Sequence, residues 1–200
     1  GWGNGKASAV AYARAGAKVA CVDWNLSAAE ETVSIIAKEG GTAIAVQCDV
    51  TVEANVIDAI AATCNALGPI DILHNNVGHA KIGGPLNFPE SEWQRQLDLN
   101  VTGVFLACKH TLPIMLERGK GVITNISSVA AIRYTGYDYP SYYASKGAIN
   151  IPVNPPGANF GRGIKDLFDI NNLDQKPVGR VQNPPQYPYE MSRAGISGEV

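Results

Sequence analysis

Tyr142 and Lys146 stand four residues apart within the segment 141–146, which reads SYYASK. On an α-helix, residues four apart share a face, so a phenol and an ammonium at this spacing can point into one site. The cation stabilises the negative charge of a phenolate, which would let the tyrosine act as a general acid or base near neutral pH. The pair therefore predicts proton-transfer chemistry.

The elements that would hold this pair alternate between strand and helix patterns. A capping-box pattern from Ser27 to Glu30 predicts the start of one helix, and an apolar helical pattern covers 91–118. Strand patterns rich in Val, Ala and Ile occur at 18–23, 42–48, 71–74 and 121–126. This alternation predicts an α/β fold with a Rossmann-like doubly wound parallel sheet and helices on both faces. Ligands of such sheets bind beyond the carboxyl ends of the strands.

A glycine cluster at the start of the chain has the composition of a phosphate-binding turn. Gly1, Gly3 and Gly5, with Asn4 between the last two, precede a small-residue helix whose first amides can face an anion. Asp23 ends the next strand, where a carboxylate would accept a hydrogen bond from a ribose 2′-hydroxyl and repel a 2′-phosphate. We therefore expect NAD as the cofactor in preference to NADP.

Together these motifs resemble the classical short-chain dehydrogenases/reductases. Gly3 and Gly5 match the last two glycines of the family's nucleotide-binding motif, and the family's first glycine and first strand would lie before Gly1. The resemblance implies that further residues contact the cofactor. These are the Asp49-Val50 pair at the adenine and Asn76, Val77 and Gly78 in a motif similar to the family's Asn-Asn-Ala-Gly.

The same resemblance assigns four catalytic positions. Asn100 would hold a water for proton relay, and Ser128, rather than Ser127, would bind the substrate oxygen. Tyr142 would be the general acid/base, since only it, and not the neighbouring tyrosine, stands four residues before Lys146. Lys146 would also bind the nicotinamide ribose.

The resemblance implies an NAD-dependent oxidoreductase that interconverts a secondary alcohol and a ketone, its small-molecule substrate. Segments 79–86 and 129–140 follow strand ends and are expected to line the substrate pocket. Two alternatives stay open. One is a dinucleotide-binding remnant without catalytic competence, and the other is a sugar-nucleotide epimerase, which would need a larger substrate domain than this sequence supplies.

The family pattern breaks after Asn150. Pro152 is incompatible with the continued helix that the family has, and prolines concentrate toward the C-terminus. We predict a cofactor-binding catalytic domain over 1–157, with its late helix shortened, and an irregular Pro/Gly-rich segment over 158–200. A deletion, omitted residues or an uncertain sequence would each explain the break. The family implies a homo-oligomer formed through two long helices, whereas the shortened helix argues against one.

The composition is that of a globular protein of 200 residues with a formal charge of −2. Such a chain carries no basic stripe for nucleic acid, and no unbroken run of about 18 apolar residues predicts a membrane helix. The four scattered cysteines predict reduced thiols and a cytoplasmic location. Neither the cysteines nor the histidines have metal-ligand spacing, so no metal site is predicted.

Overall fold

The computed structural model describes residues 2–149. The glycine at position 1, the break after residue 150 and the predicted C-terminal segment 158–200 lie outside the described residues, so the proposed domain boundary at 157 stays a prediction. The strands are β1 (Val19–Asp23), β2 (Ala43–Gln47), β3 (Ile72–Asn75) and β4 (Val122–Asn125). The α-helices are α1 (Asn4–Arg14), α2 (Leu26–Lys38), α3 (Glu53–Leu67), α4 (Glu90–Leu97), α5 (Gly103–Glu117) and α6 (Pro140–Ala148).

All four described strands are parallel to their partners. β1 pairs with β2 from Val19 opposite Ala43, and β3 pairs with β4 from Ile72 opposite Val122. The sequence predicted one open sheet, whereas residues 2–149 form two separate pairs. Both β1 and β3 line a cavity of about 1000 Å³. The carboxyl ends of β3 and β4 are held side by side, because Asn75 Nδ2 donates to Asn125 Oδ1 at 2.8 Å.

Two apolar clusters fix the helices against the strands. Val10 of α1 packs with Cys21 of β1 and Ile36 of α2, and Val56 of α3 packs with Leu106 of α5. Burying such side chains contributes about 1.5–3 kcal/mol each. The four cysteines are free thiols, as the sequence predicted.

Helix α2 begins two residues earlier than its predicted capping box. Asn25 is the N-cap, and its side chain accepts a hydrogen bond from the Ser27 amide at 3.1 Å. Asparagine is as good an N-cap as serine, because its side-chain oxygen reaches the amide two residues ahead. Ser27 therefore lies inside the helix, and the predicted cap was wrong.

A continuous helical stretch of 28 residues, Glu90–Glu117, joins α4 to α5 through a π-helical segment, Asp98–Thr102. By length and composition this stretch could cross a membrane, although its apolar residues do not form an unbroken run. Core helices of soluble proteins meet the same measure. This helix buries polar side chains, Gln96, Asn100 and Thr111, and packs against α3.

Candidate active site

Helix α6 carries Tyr142 and Lys146 on one face, as their spacing predicts. Pro140 occupies the first turn, where its fixed φ suits helix initiation. The Lys146 ammonium lies 5.8 Å from the centre of the Tyr142 ring. Its Nζ donates a hydrogen bond of 2.8 Å to the carbonyl oxygen of Ile126, which follows β4. The pair is thus fixed to the carboxyl end of a strand.

Lys146 is only 3% exposed. Burial disfavours the ammonium relative to the neutral amine and lowers the pKa of Lys146 below its usual value. Lysine is seldom buried without a charged partner, because desolvating the cation costs free energy. A lysine held there in spite of that cost points to a functional role.

Asn100 is fully buried in the π-helical segment between α4 and α5. Its Oδ1 accepts from the His79 amide at 2.8 Å, and its Nδ2 donates to the His79 carbonyl at 2.9 Å and to Ser145 Oγ at 2.9 Å. Single π-helical turns inside α-helices often occur at functional sites. Asn100 thereby connects the loop after β3 with α6.

Ser145 is a site residue that the sequence reasoning missed. It is fully buried, accepts from Asn100, and donates to the Tyr142 carbonyl at 3.0 Å. Its position three residues after Tyr142, on the same side of the helix, was the available signal. That signal was too weak by itself, because serine in a helix often bonds to a preceding carbonyl without any further role.

The two serines after β4 make different contacts. Ser128 Oγ caps the short 3₁₀ helix Val129–Ala131 by accepting from the Ala130 amide at 3.2 Å. Ser127 Oγ donates to the Lys146 carbonyl at 3.0 Å and so helps to hold α6. Ser128, having accepted this bond, keeps its own proton for another acceptor.

A cavity of about 380 Å³ gathers most of the predicted catalytic residues. Its lining comprises Asn4, Asn76, Gly78, Ile126, Ser127, Ser128, Tyr142 and Lys146. Two of these, Asn4 and Asn76, also line the 1000 Å³ cavity, so the two spaces adjoin there. The larger cavity includes most of the other predicted cofactor residues, namely Gly3, Gly5, Asp23, Val50 and Val77.

Two glycines allow close approaches that a side chain would block. A Cβ on Gly5 would lie 2.8 Å from Asn76 Nδ2. A Cβ on Gly78 would lie 3.0 Å from Lys146 Nζ and 3.2 Å from Asn100 Oδ1. At Gly78 the backbone of the loop after β3 therefore runs directly beside the Lys146 ammonium and the Asn100 side-chain oxygen.

The two predicted cofactor carboxylates differ in their surroundings. Asp23, at the end of β1, accepts from the Asn25 amide at 2.9 Å and lines the larger cavity. Asp49 accepts from the Thr51 hydroxyl at 2.7 Å and from the Thr51 amide at 2.9 Å, and these bonds lower its pKa. The structure places Asp49 outside the described lining of both cavities, while its neighbour Val50 lines the larger one.

The glycine turn, the helix that carries Tyr142 and Lys146, and the parallel strands linked by helices are the features of a Rossmann-like α/β fold. Residues 1–153 match the family model of the short chain dehydrogenases. The chain belongs to the short-chain dehydrogenase/reductase family, as its motifs predicted. A crystal structure of a short-chain type dehydrogenase/reductase from Mycobacterium marinum matches it with a TM-score of 0.70 and 35% identity, covering 72% of this chain and 59% of that one. The Rossmann-like fold class is thereby confirmed.

Named relatives include dehydrogenases of unlike substrates. The chain is 38% identical to 2-(S)-hydroxypropyl-CoM dehydrogenase 3 of Xanthobacter autotrophicus over 82% of this chain and 65% of the relative. It is also 38% identical to the 7alpha-hydroxysteroid dehydrogenase of Escherichia coli, over 92% of this chain and 79% of the relative. The chain spans 64 to 66% of the length of three curated relatives, less than two thirds.

Proposed function

We propose that the protein is an NAD-dependent oxidoreductase that interconverts a secondary alcohol and a ketone, with Tyr142 as the general acid/base. The observation that carries this proposal is the burial of Lys146 beside the Tyr142 ring, in one small cavity with Ser128. Among residues 2–149 no carboxylate pairs with Lys146, so its ammonium is costly to bury and is left to stabilise a negative charge nearby. This arrangement supports Tyr142 as the group that exchanges a proton with the substrate.

Tyr142, Ser128 and Asn100 have separate tasks in the proposed chemistry. Tyr142 takes the hydroxyl proton when an alcohol is oxidised and returns it when a ketone is reduced. Ser128 donates a hydrogen bond to the substrate oxygen and stabilises the charge that develops there. Asn100 fixes the loop and α6 around Lys146, and positions a water that exchanges protons with it.

The start of α1 and the two adjoining cavities suit a dinucleotide. The N-cap of α1 is Gly3, which has no side chain to cap the helix, and the first turn has no acidic residue, so the amides of Asn4 and Gly5 suit a pyrophosphate. Beyond Asn76 the two cavities adjoin, which gives room for an elongated ligand that reaches Tyr142 and Lys146. A bound nicotinamide would supply the hydride chemistry.

NAD rather than NADP is proposed because of Asp23. Its carboxylate ends β1 on the wall of the larger cavity, where it would accept from a ribose 2′-hydroxyl. A 2′-phosphate in the same place would meet a like charge, which costs binding free energy. The free thiols suit the reducing cytoplasm, which we propose as the location of the protein.

The substrate is proposed only as a secondary alcohol or ketone, because the named relatives are dehydrogenases of 2-(S)-hydroxypropyl-CoM and of a 7alpha-hydroxysteroid. A panel that includes 2-hydroxypropyl-coenzyme M, a 7α-hydroxysteroid and simple secondary alcohols tests it, with NAD or NADP and absorbance of the reduced cofactor at 340 nm. Turnover with NAD supports the proposal. NADH binding with no turnover across the panel would instead support a binding remnant.

A further inference from the structure

The loop before α6 closes with a set of tyrosines that the reaction scheme does not use. Thr135 Oγ1 contacts Tyr139 Oη at 2.8 Å and Tyr143 Oη at 3.0 Å, and the Thr135 amide donates to Tyr143 Oη at 2.9 Å. Tyr143 Oη in turn donates to the Tyr137 carbonyl at 2.9 Å. These bonds tie the loop to the helix that carries Tyr142.

The direction of every bond in this network follows from counting protons. A phenol has one proton, and that of Tyr143 is used on the Tyr137 carbonyl. Thr135 must therefore donate to Tyr143, which uses the only hydroxyl proton of the threonine. Tyr139 must then donate to Thr135. Removing any one of these hydroxyls leaves its neighbour in the chain without a hydrogen-bond partner. The position of the Tyr139 hydroxyl therefore depends on both Thr135 and Tyr143.

Tyr139 is fixed at its backbone as well. It is the N-cap of α6, and its carbonyl accepts from the amides of Tyr142 at 3.0 Å and Tyr143 at 3.1 Å. Pro140 restricts the conformation of the residue before it. The adjacent Asp138 carbonyl accepts from the Gly83 amide at 2.6 Å, which joins the two segments predicted to line the substrate pocket.

The ring of Tyr139 packs against Tyr142. Their ring centres are 5.2 Å apart with an interplanar angle of 88°, an edge-to-face contact of the kind aromatic pairs prefer. Tyr139 also stacks with Tyr137 and packs at a tilt against Tyr143. The half-buried Tyr142 ring thus has an aromatic neighbour that hydrogen bonds hold at both its hydroxyl and its backbone.

We propose that Tyr139 is a positioning residue for Tyr142, and that Thr135 and Tyr143 hold it in place through the ordered hydroxyl chain. The inference rests on the proposed function of Tyr142. Its physical reason is that a displacement of about 1 Å in a reacting group can cost roughly a hundredfold in rate. Tyr139 itself need not touch the substrate or the cofactor for this effect.

The test uses the full chain labelled with 3-fluorotyrosine, in which the Tyr142 ¹⁹F resonance is assigned by its loss in Tyr142→Phe. We expect one sharp resonance in the unsubstituted protein and a broadened or split one in Tyr139→Leu. Thr135→Val should broaden it in the same way, whereas Thr135→Ser, which keeps the hydroxyl, should restore a single line. A single sharp line in both Tyr139→Leu and Thr135→Val would overturn the proposal, as would a Thr135→Ser spectrum like that of Thr135→Val.

Kinetics provide the second readout. In Tyr139→Leu and Thr135→Val, kcat should fall at least about tenfold while KM for NAD changes less than about twofold. Equal loss in Thr135→Ser, or a change in KM for NAD alone, would contradict a positioning role. If the unsubstituted protein turns over no substrate, the proposed function fails, and the ¹⁹F line shape still decides whether Tyr139 orders Tyr142.

Discussion

Asn100 and Ser145 share a buried hydrogen bond of 2.9 Å across 45 residues of sequence. The bond joins the π-helical segment to α6, and Ser145 Oγ in turn donates a hydrogen bond to the Tyr142 carbonyl. Because both side chains are fully buried, water cannot take the place of either hydrogen-bond partner. The position of α6, which carries Tyr142 and Lys146, therefore depends on Asn100, a residue that lies far earlier in the sequence.

Ser145→Ala should lower the free energy of unfolding by about 1–3 kcal/mol, because it leaves one proton of the Asn100 amide unpaired in the interior. Urea denaturation measures this loss. The exposed Ser34→Ala on α2 is the matched control and should change stability by less than about 0.5 kcal/mol. Equal stabilities of the two variants would show that the Asn100–Ser145 bond does not hold the site.

Lys146→Met should abolish turnover without destabilising the protein by more than about 1 kcal/mol, since it removes a buried charge and leaves only one carbonyl unpaired. The effect of this substitution on the free energy of unfolding should depend on pH. Because the pKa of Lys146 is lowered on folding, the unfolded chain binds its proton more tightly, and burial costs stability at neutral pH. That cost disappears as pH rises through the lowered pKa to the ordinary value of 10.5.

Between pH 7 and pH 10 the unsubstituted protein should therefore gain stability relative to Lys146→Met. Urea denaturation at both pH values measures it. The exposed Lys38→Met is the control, and its difference from the unsubstituted protein should stay constant over that range. A difference that is also constant for Lys146→Met would contradict the cost of burying a charge.

Asp23→Asn should raise the affinity for NADP relative to NAD by about tenfold or more, which is about 1.4 kcal/mol. The amide removes the like charge and keeps an oxygen for the Asn25 amide, so the end of β1 is preserved. Fluorescence titration with NADH and NADPH measures the ratio. The exposed Asp58→Asn on α3 should leave it unchanged. An unaltered ratio in Asp23→Asn would remove Asp23 from cofactor selection.

The sequence was most informative where the signal is local. The four-residue spacing of Tyr142 and Lys146 predicted their shared helix face, since helical geometry alone determines it. The partners of Asn100 come from residues 21 and 45 positions away, and only tertiary packing brings them together. The π-helical turn at Asn100 has no sequence signal of its own. Pairing of the strands likewise depends on long-range contacts, because no local pattern specifies that β1 pairs with β2 and β3 with β4.

The most direct test of the proposed chemistry is turnover of Tyr142→Phe, followed by absorbance at 340 nm with the best substrate of the panel and compared with Tyr134→Phe. Tyr134 is exposed, and within the described part of the chain its hydroxyl has only a long contact of 3.4 Å to Asp138. We predict that Tyr142→Phe loses about 10²–10⁴-fold in kcat with NADH affinity nearly unchanged, while Tyr134→Phe stays within about twofold of the unsubstituted protein. Unreduced turnover in Tyr142→Phe would contradict its assignment as the general acid/base.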